Sequence, residues 1–183
     1  TFPQPPEDKL SEYYKSEDYI SHTDSKRNLF ELAYQVVRSI ALKRKLKLIN
    51  SFNTSSKDVL DIGCGTGDFL QTAQKEGWHV TGIEPNKEAR HIANTKVNNN
   101  VYDIEHLSSF KENSFDVITL WHVLEHLPEL DNHINRFKQY LKPNGLVVVA
   151  VPNFKSYDAQ CYKSYWAGYD VPRHLWHFSK QSI

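Results

Sequence analysis

A short run of the sequence, Asp61-x-Gly63-x-Gly65-x-Gly67, combines one acid with three glycines at alternate positions. Glycine has no Cβ, so such a turn can bend tightly and bring its backbone close to a ligand. An acid beside that ligand can hold an amino group, whereas it would repel a pyrophosphate. A dinucleotide-binding fingerprint also requires glycine at the position that Asp68 occupies. The run therefore favours a ligand with an amino group over a dinucleotide.

The residues on either side of this run predict the elements that hold it. Val59, Leu60 and Ile62 indicate a buried strand, and helical spacing over residues 68–76 indicates a helix after the turn. Strand, glycine turn and helix together begin a βαβ unit. The first N–H groups of the helix would point at the ligand and suit a carboxylate or phosphate. The methionine end of S-adenosylmethionine carries both an ammonium and a carboxylate, so it fits these requirements.

The rest of the chain continues the alternation of strands and helices. Such alternation predicts an α/β fold with a parallel sheet and right-handed crossovers. Ligands of these sheets bind over the carboxyl ends of the strands, where the glycine turn also lies. Further strands are predicted at residues 78–83, 101–104, 114–120 and 146–151, helices at 26–52, 86–95 and 129–141, and a turn at 142–145.

Motifs in matching order between residues 57 and 153 resemble those of one enzyme family. D-V-L-D-I-G-C-G-T-G is similar to motif I of the class I S-adenosylmethionine-dependent methyltransferases, and S-F-D-V-I-T-L and L-K-P-N-G-L-V-V-V look like their fourth and fifth strands. The resemblance is to the small-molecule branch that includes ubiquinone-type O-methyltransferases. It implies a Rossmann-like, doubly wound, mostly parallel sheet. Members usually have two more strands after the fifth, so a chain that stops at Ile183 looks C-terminally incomplete, with its fifth strand exposed as an edge.

Spacing and resemblance together predict the residues that bind the cofactor. Glu84 follows the second strand at the position of an acid that grips a ribose diol, or alternatively is a charge at the start of the next helix. The resemblance implies that Asp103 receives the adenine amino group and that the Ile104 N–H meets the ring, the alternative being an ordinary loop acid. The full predicted set is Asp61, Gly63, Cys64, Gly65, Gly67, Glu84, Pro85, Asp103, Ile104, Trp121 and His122.

The run His122-Val-Leu-Glu125-His126 has the form of a zinc-protease signature. That chemistry needs both histidines on one face of a helix and a third ligand elsewhere. Here the run leaves a predicted buried strand and ends at Pro128, and the resembled family has a similar H-x-L-E-H run beside the sulfonium. We therefore predict no metal, place His122 in the cofactor pocket, and interpret His126 as a base or a structural histidine.

Aromatic residues are dense between residues 152 and 178. Because proline and glycine interrupt them, they predict a loop-rich cap over a flat or apolar acceptor, or a second small core under a long loop. Asp170-Val-Pro-Arg173-His174 resembles a P-R-H element in relatives of the same branch. The resemblance implies that His174 is an acceptor-side base and that Arg173 orients an acidic group of the substrate.

The predicted single domain has three parts: an N-terminal helical arm at 1–54, a core at 55–153 and the aromatic cap at 154–183. Aromatic residues at 13–20 are interpreted as packing on a short helix or as part of a lid. The helix predicted at 26–52 has an apolar stripe and a basic face, which is interpreted as solvated. The stripe is Leu29, Leu32, Ala33, Val36, Val37 and Ile40, and the basic residues are Arg38, Lys43, Arg44, Lys45 and Lys47.

Composition limits the remaining classes of function. The formal charge is +0, from 22 basic and 22 acidic residues, which argues against a nucleic-acid partner. Cys64 and Cys161 do not make a disulfide framework, and no apolar run approaches the length of a membrane span. A cytoplasmic setting is therefore expected.

The sequence thus predicts transfer of the methyl group of S-adenosylmethionine to a small-molecule acceptor, with a hydroxyl preferred. One alternative is a catalytically silent module that binds S-adenosylmethionine or a partner. Another is a nucleotide-dependent oxidoreductase or epimerase, against which the missing third glycine argues. Nothing in the sequence indicates an oligomeric state.

Overall fold

The computed structural model describes residues 4–6, 29–52, 54 and 56–183. The predicted lid or packing stretch at 13–20, and most of the arm that precedes the first helix, lie outside the described residues. Helix α1 spans Leu29–Asn50, within the helix predicted at 26–52.

Within the described residues, five parallel strands alternate with helices. The strands are β1 Asp58–Ile62, β2 His79–Ile83, β3 Val101–Tyr102, β4 Phe115–Trp121 and β5 Leu141–Ala150. The connecting helices are α2 Asp68–Lys75, α3 Lys87–Lys96 and α4 Leu130–Tyr140, with 3₁₀ turns at Ile104–Ser109 and Leu124–His126. The strands lie in the order β3-β2-β1-β4-β5, so the sheet is doubly wound about β1 and the predicted fold is confirmed.

Apolar side chains pack on both faces of this sheet. Because strand side chains alternate, Val59 and Leu60 of β1 enter different apolar clusters, as do Val117 and Ile118 of β4. Residues of α1, α2 and α3 cover the first face, and residues of α4 and the two 3₁₀ turns cover the second. Strand β5 forms one edge of the sheet, where Leu146 is partly exposed.

The clearest departure from the predicted boundaries is at β5, which includes the residues predicted as a turn. Phe115 pairs with Leu141 whereas Val117 pairs with Leu146, so β5 bulges between these two pairs. Asn144 in this bulge has a φ of 66°, the left-handed conformation that asparagine tolerates in turns. Residues 142–145 therefore do contain a turn conformation, at Asn144. They lie inside a strand because the residues on both sides of them pair with β4.

The apolar stripe predicted on α1 is wrong as a core-facing surface. Val37 is 64 % exposed and Ile40 is 46 % exposed, whereas Leu46 and Ile49 further along the helix are buried. Among the side chains that the structure describes, those of α1 that pack in the core belong to its C-terminal half, and Leu32, Val36 and Val37 do not reach the sheet. The exposed stripe residues are Leu32, Ala33, Val36, Val37 and Ile40.

The segment after β5 contains helix α5, Tyr157–Tyr162, and short 3₁₀ turns at Lys163–Tyr165 and Ala167–Tyr169. Its aromatic side chains differ in burial, so they do not form one continuous cap. Phe178 is buried in the apolar cluster on one face of the sheet and not in a second small core, whereas Tyr157 and Tyr165 are exposed.

Candidate active site

The glycine turn lies at the carboxyl end of β1, as the sequence predicts. The N–H groups of Gly63 and Cys64 donate to the Ile83 carbonyl at the end of β2, at 2.7 and 3.1 Å. Gly63 has a φ of 68°, and a Cβ there would lie 2.5 Å from a methyl carbon of Val123. Glycine is therefore required both by the conformation and by the close approach of the segment after β4.

The other two glycines differ in what surrounds them. A Cβ on Gly67 would lie 2.9 Å from the Ala93 Cβ, so this glycine allows the turn to pack against α3. A Cβ on Gly65 would meet nothing within 4 Å, although its φ of 55° also favours glycine. The turn therefore has an open side at Gly65, where a ligand can approach the backbone.

A buried acid stands on the sheet directly below this turn. Asp61 is the cross-strand partner of Thr119, whose Oγ1 donates to Asp61 Oδ1 at 2.6 Å. Trp121 is two residues further along β4, so its side chain lies on the same face. Asp61 is 2 % exposed, and burial raises its pKa to about 7. Near neutral pH this carboxyl group therefore changes charge readily.

Lys45 reaches the same face from α1, contrary to its predicted place on a solvated face. Its ammonium lies 4.5 Å from the centroid of the Trp121 ring, a cation–π distance. Burial lowers the pKa of Lys45 from its ordinary value, and the charge of Asp61 opposes that change. The sequence could have indicated that Lys45 faces the domain. It lies next to Leu46 and four residues before Ile49, so it borders the buried face of the helix.

These three side chains fit the amino-acid end of S-adenosylmethionine. Trp121 Nε1 is buried and has no hydrogen-bond partner in the part of the chain that the structure describes. A buried donor left unmet costs about 1–3 kcal/mol, so an acceptor at this position would be stabilising. A ligand carboxylate could accept from Trp121 and pair with Lys45, while a ligand ammonium pairs with Asp61.

Glu84 links the glycine turn to the start of α3. Its carboxylate accepts the Gly65 N–H at 2.8 Å and the Asn86 N–H at 2.9 Å, and the residue is 1 % exposed. Burial raises the pKa of Glu84, while these two N–H groups act in the opposite direction. Each carboxylate oxygen keeps a second lone pair for a ribose hydroxyl. Pro85 lies between Glu84 and Asn86, the N-cap of α3.

Asp103 and Ile104, predicted to contact the adenine, contact each other in this structure. The Ile104 N–H donates to Asp103 Oδ1 at 2.6 Å, which caps the following 3₁₀ turn. Arg90 pairs with the other oxygen, Asp103 Oδ2, at 2.7 Å. The predicted adenine contacts use these same groups, so they require the Asp103 carboxylate to turn away from the Ile104 N–H.

Two other predicted cofactor residues differ in exposure. Cys64 is half-buried, and burial raises the pKa of its thiol, which therefore stays protonated and packs as an apolar group. His122 has a left-handed φ of 60° and a side chain that is 66 % exposed, with its Nδ1 3.7 Å from Glu125 Oε1. His122 thus lies at the rim of the site, not within an enclosed pocket.

His126, predicted as a base or a structural histidine, and His174, predicted as an acceptor-side base, lie together although they come from distant parts of the chain. The rings of His126 and His174 meet edge to face with their centroids 4.6 Å apart. The segment that carries His174 runs along the turn after β4, where the Leu175 N–H donates to the Glu125 carbonyl at 2.8 Å. This docking joins the H-x-x-E-H run to the P-R-H element.

Backbone carbonyls fix the tautomers of both rings. Nδ1 of His126 lies 3.0 Å from the Arg173 carbonyl oxygen, and Nδ1 of His174 lies 2.8 Å from that of Gly168. A carbonyl oxygen only accepts, so each Nδ1 carries the proton and each neutral ring has its lone pair at Nε2. Burial, followed by the nearby His174, lowers the pKa of His126. The His126 ring is therefore neutral near pH 7.

Arg173, the third residue predicted on the acceptor side, forms an ion pair within its own segment. Its Nε and one terminal nitrogen donate to Asp170 Oδ1 at 3.0 and 2.7 Å. The guanidinium is partly exposed, so an acidic group of a ligand could share it with Asp170.

Comparison with known proteins identifies the family. A sequence model of the family described as "Methyltransferase domain" matches residues 33–183. The chain belongs to the class I S-adenosylmethionine-dependent methyltransferases. This methyltransferase is 31 % identical over 123 residues to a ubiquinone biosynthesis O-methyltransferase of Hydrogenovibrio crunogenus, an alignment that covers 62 % of the chain and 51 % of the relative. The chain spans about half the length of the curated relatives it matches.

Solved structures of methyltransferases share the fold. Magnesium protoporphyrin IX methyltransferase from Synechocystis PCC 6803, with bound SAH, aligns with a TM-score of 0.69 at 18 % identity, over 97 % of this chain and 85 % of that one. A methyltransferase from Archaeoglobus fulgidus aligns with a TM-score of 0.64 at 24 % identity, over 84 % and 70 %. Family membership argues against the oxidoreductase alternative. In the part of the chain that the structure describes, none of the helices combines the length and the apolar character of a membrane-spanning segment.

Proposed function

We propose that this methyltransferase transfers the methyl group of S-adenosylmethionine to a hydroxyl oxygen of a small-molecule acceptor. The pair of His126 and His174 carries the proposal, because the two rings are in contact and each neutral ring keeps its proton at Nδ1 and a lone pair at Nε2. Asp170 Oδ2 lies 3.7 Å from His174 Nε2, so its charge can stabilise that ring after it takes a proton. A hydroxyl loses its proton when its oxygen is methylated, and a neutral histidine can take that proton near pH 7. The curated relatives named as O-methyltransferases support the choice of oxygen.

The cofactor, when bound, supplies a methyl group that its sulfonium has already activated. The chain's own part is then to position the reactants, which can lower a barrier by several kcal/mol. In this proposal Asp61 holds the cofactor's ammonium, Lys45 and Trp121 Nε1 hold its carboxylate, and Glu84 accepts from its ribose. The open side of the turn at Gly65 gives the ribose access to Glu84. Asp103 and Ile104 are proposed for the adenine.

The acceptor lies on the side of His126 and His174 in this proposal. Arg173 orients an acidic group of the acceptor, which shares the guanidinium with Asp170. Either histidine takes the hydroxyl proton at Nε2, since both have the same tautomer. The proposed acceptor is therefore a hydroxylated small molecule that also carries a carboxylate or a similar anion.

A panel of acceptors tests this assignment. The purified chain is incubated with S-adenosylmethionine and matched aromatic compounds bearing a hydroxyl, an amine or a carboxyl group, and methylated product is measured by mass spectrometry. We expect methylation of the hydroxyl compounds. His126→Ala and His174→Ala are each expected to lower turnover by about 100-fold or more, the contribution of a positioned base. His79→Ala is the control, because His79 is exposed at the start of β2.

Three other results would contradict the proposal. Methylation of the amine alone would show that oxygen is not the acceptor atom. Full turnover by both histidine variants would remove the acceptor-side roles of His126 and His174. Binding of S-adenosylhomocysteine without methylation of any compound would instead support the silent binding module.

Lys45→Met is expected to weaken binding of S-adenosylhomocysteine by about tenfold to 100-fold, the effect of losing one charge-assisted hydrogen bond. Methionine keeps the length and apolar contacts of the stem but has no ammonium. Calorimetric titration measures the change, with Lys43→Met as the control, because Lys43 lies two residues earlier on α1 and is exposed. Equal affinity of both variants would assign Lys45 to packing on Trp121 alone.

A further inference from the structure

A buried carboxylate with no hydrogen-bond partner lies beside the two histidines. Glu125 is 1 % exposed, and neither of its carboxylate oxygens has a hydrogen bond from any residue that the structure describes. His122 Nδ1 lies 3.7 Å from Glu125 Oε1, which is longer than a hydrogen bond. An uncompensated buried carboxylate is unfavourable by several kcal/mol, so this position favours a bound cation or a proton.

Three side chains with metal-ligating atoms lie close together at Glu125. One ligand atom from each of Glu125, His126 and His174 lies within 4.8 Å of the other two. Both rings already donate Nδ1–H to a backbone carbonyl, so the atom that each ring has for an ion is Nε2. The Nε2 of His174 also lies 3.7 Å from Asp170 Oδ2, whose negative charge favours a cation at that nitrogen. In metal sites a ligating histidine almost always donates its other ring N–H to a carbonyl or carboxylate. The outer contacts of a metal site are thus present here.

We infer that Glu125, His126 and His174 bind a divalent transition-metal ion of the Zn²⁺ type. Two imidazole nitrogens and one carboxylate oxygen suit Zn²⁺ and its neighbours, whereas Mg²⁺ and Ca²⁺ prefer oxygen ligands alone. Three protein ligands leave a fourth position of a tetrahedral ion open. That position can take an oxygen of a second ligand.

This inference deepens the proposed function, on which it rests for the identity of that second ligand, and changes one role in it: in the metal-bound chain His126 and His174 are ligands and not the base. An acceptor hydroxyl bound to the ion loses its proton more readily, because the ion stabilises the resulting oxyanion. The histidines would then hold the ion, and solvent or a neighbouring base would receive the proton. Metal binding itself does not depend on which acceptor is methylated.

The structure supplies the ligand that the H-x-x-E-H run lacked. The sequence alone predicts no metal, because the run leaves a predicted strand, ends at Pro128 and resembles the run that the family has beside the sulfonium. The observed 3₁₀ turn at Leu124–His126 places Glu125 and His126, and the docked P-R-H element adds His174 in place of His122. The Leu175 N–H, bound to the Glu125 carbonyl at 2.8 Å, fixes the two segments relative to each other.

Titration with Co²⁺ tests the site without cofactor or acceptor. The purified chain is first treated with a chelator and then titrated with Co²⁺ while the visible d–d absorption of the bound ion is recorded. We expect saturation at about one ion per chain, with intense bands typical of low coordination number, and displacement by Zn²⁺. Absence of a saturable spectrum would overturn the inference and leave the proposed methyl transfer untouched.

Variants assign the ligands. His126→Ala, His174→Ala and Glu125→Gln are each expected to weaken Co²⁺ binding by about 100-fold, at least the effect of losing an outer contact of a metal site. His79→Ala, which removes an exposed histidine away from the cluster, should bind Co²⁺ as the parent does. Circular dichroism reports whether each variant is folded. Folded variants that keep the affinity of the parent would show that Co²⁺ binds elsewhere.

X-ray absorption of the parent chain loaded with one equivalent of Zn²⁺ needs no variant. The expected spectrum shows two imidazole ligands, with nitrogen and oxygen at about 2.0–2.2 Å. A spectrum without imidazole scattering would overturn the assignment even if the variants fail to fold. Methyl transfer that persists in the metal-free chain would separate the two proposals, since the base mechanism would then operate alone.

Discussion

Replacing Glu84 by glutamine is expected to weaken binding of S-adenosylhomocysteine by about 100-fold and to lower the free energy of unfolding by about 2 kcal/mol. Glutamine keeps the volume of Glu84 but exchanges one acceptor oxygen for an NH₂ donor. In the parent chain the N–H groups of Gly65 and Asn86 each donate to a carboxylate oxygen of Glu84, so the new NH₂ group would face one of these two donors. One buried N–H group is therefore left unmet, and the glycine turn loses one of its attachments.

Two measurements separate the roles of Glu84. Urea unfolding reports the attachment of the turn, and calorimetric titration reports the contact with the ribose. Glu88→Gln is the matched control, because Glu88 is exposed in the first turn of α3 and shares the charge of Glu84 without its contacts. If stability falls but affinity does not change, Glu84 is only a structural acid and the predicted ribose contact is wrong.

The strands around β1 and the glycine turn could be predicted because their signals are local. Apolar runs mark buried strands, and the alternation of strands and helices restricts the order of the sheet. Strand β5 differs from its predicted boundaries because its start depends on pairing with β4. The residues at 142–145 have turn chemistry, yet they lie within a strand because Leu141 and Leu146 both pair with β4. Pairing with a distant strand overrode the local preference.

Helix α1 shows the same limit for side chains that face the site. Its periodicity predicts an apolar stripe but not which half of the helix reaches the sheet. Docking of the C-terminal half places Lys45 beside Trp121 and leaves Val37 exposed. Arg38 was also predicted on a solvated face, yet it pairs with Asp68 of α2. Charged residues of α1 therefore attach the helix to the domain.

Asp68 explains the absence of a third fingerprint glycine in physical terms. Its carboxylate pairs with Arg38 of α1 and with Lys96 of α3, the latter at 2.8 Å. Three helices thus meet at the position where a dinucleotide-binding turn has a glycine for close packing. The missing glycine in the sequence argues against a dinucleotide there, but the ion pairs of Asp68 depend on tertiary packing and could not be predicted.

The cluster of residues proposed for the acceptor side could be recognised only from the tertiary structure. The sequence singled out His126 and His174 separately, one by its motif and one by resemblance. Their contact, and the carbonyl groups of Arg173 and Gly168 that fix their tautomers, arise from the docking of one loop on another. Spacing along the chain carries no information about such docking, so neither the pair nor its neighbour Glu125 could be recognised as a cluster beforehand.

Asp61→Asn is expected to raise the free energy of unfolding at pH 8 by up to about 4 kcal/mol and to change it little at pH 4. Burial raises the pKa of Asp61 from an ordinary value of 3.8 to about 7. Between these two values the unfolded chain loses the proton first, so the stability of the parent falls as pH rises, by about 1.4 kcal/mol per pH unit. Asparagine cannot ionise, so this loss is absent from the variant.

Urea unfolding of parent and variant across this pH range measures the effect, with the exposed Asp131→Asn as the control. Parallel pH profiles of parent and Asp61→Asn would show that Asp61 ionises normally in the folded chain. The same variant should bind S-adenosylhomocysteine about tenfold to 100-fold more weakly, because asparagine offers the ligand ammonium no opposite charge. The same physical cause is expected to make Asp61→Asn more stable and to weaken its binding of the ligand. The ionised carboxylate of Asp61 is buried, and among the described residues only Thr119 donates a hydrogen bond to it, so its charge destabilises the folded chain. A ligand ammonium beside Asp61 would offset this destabilisation.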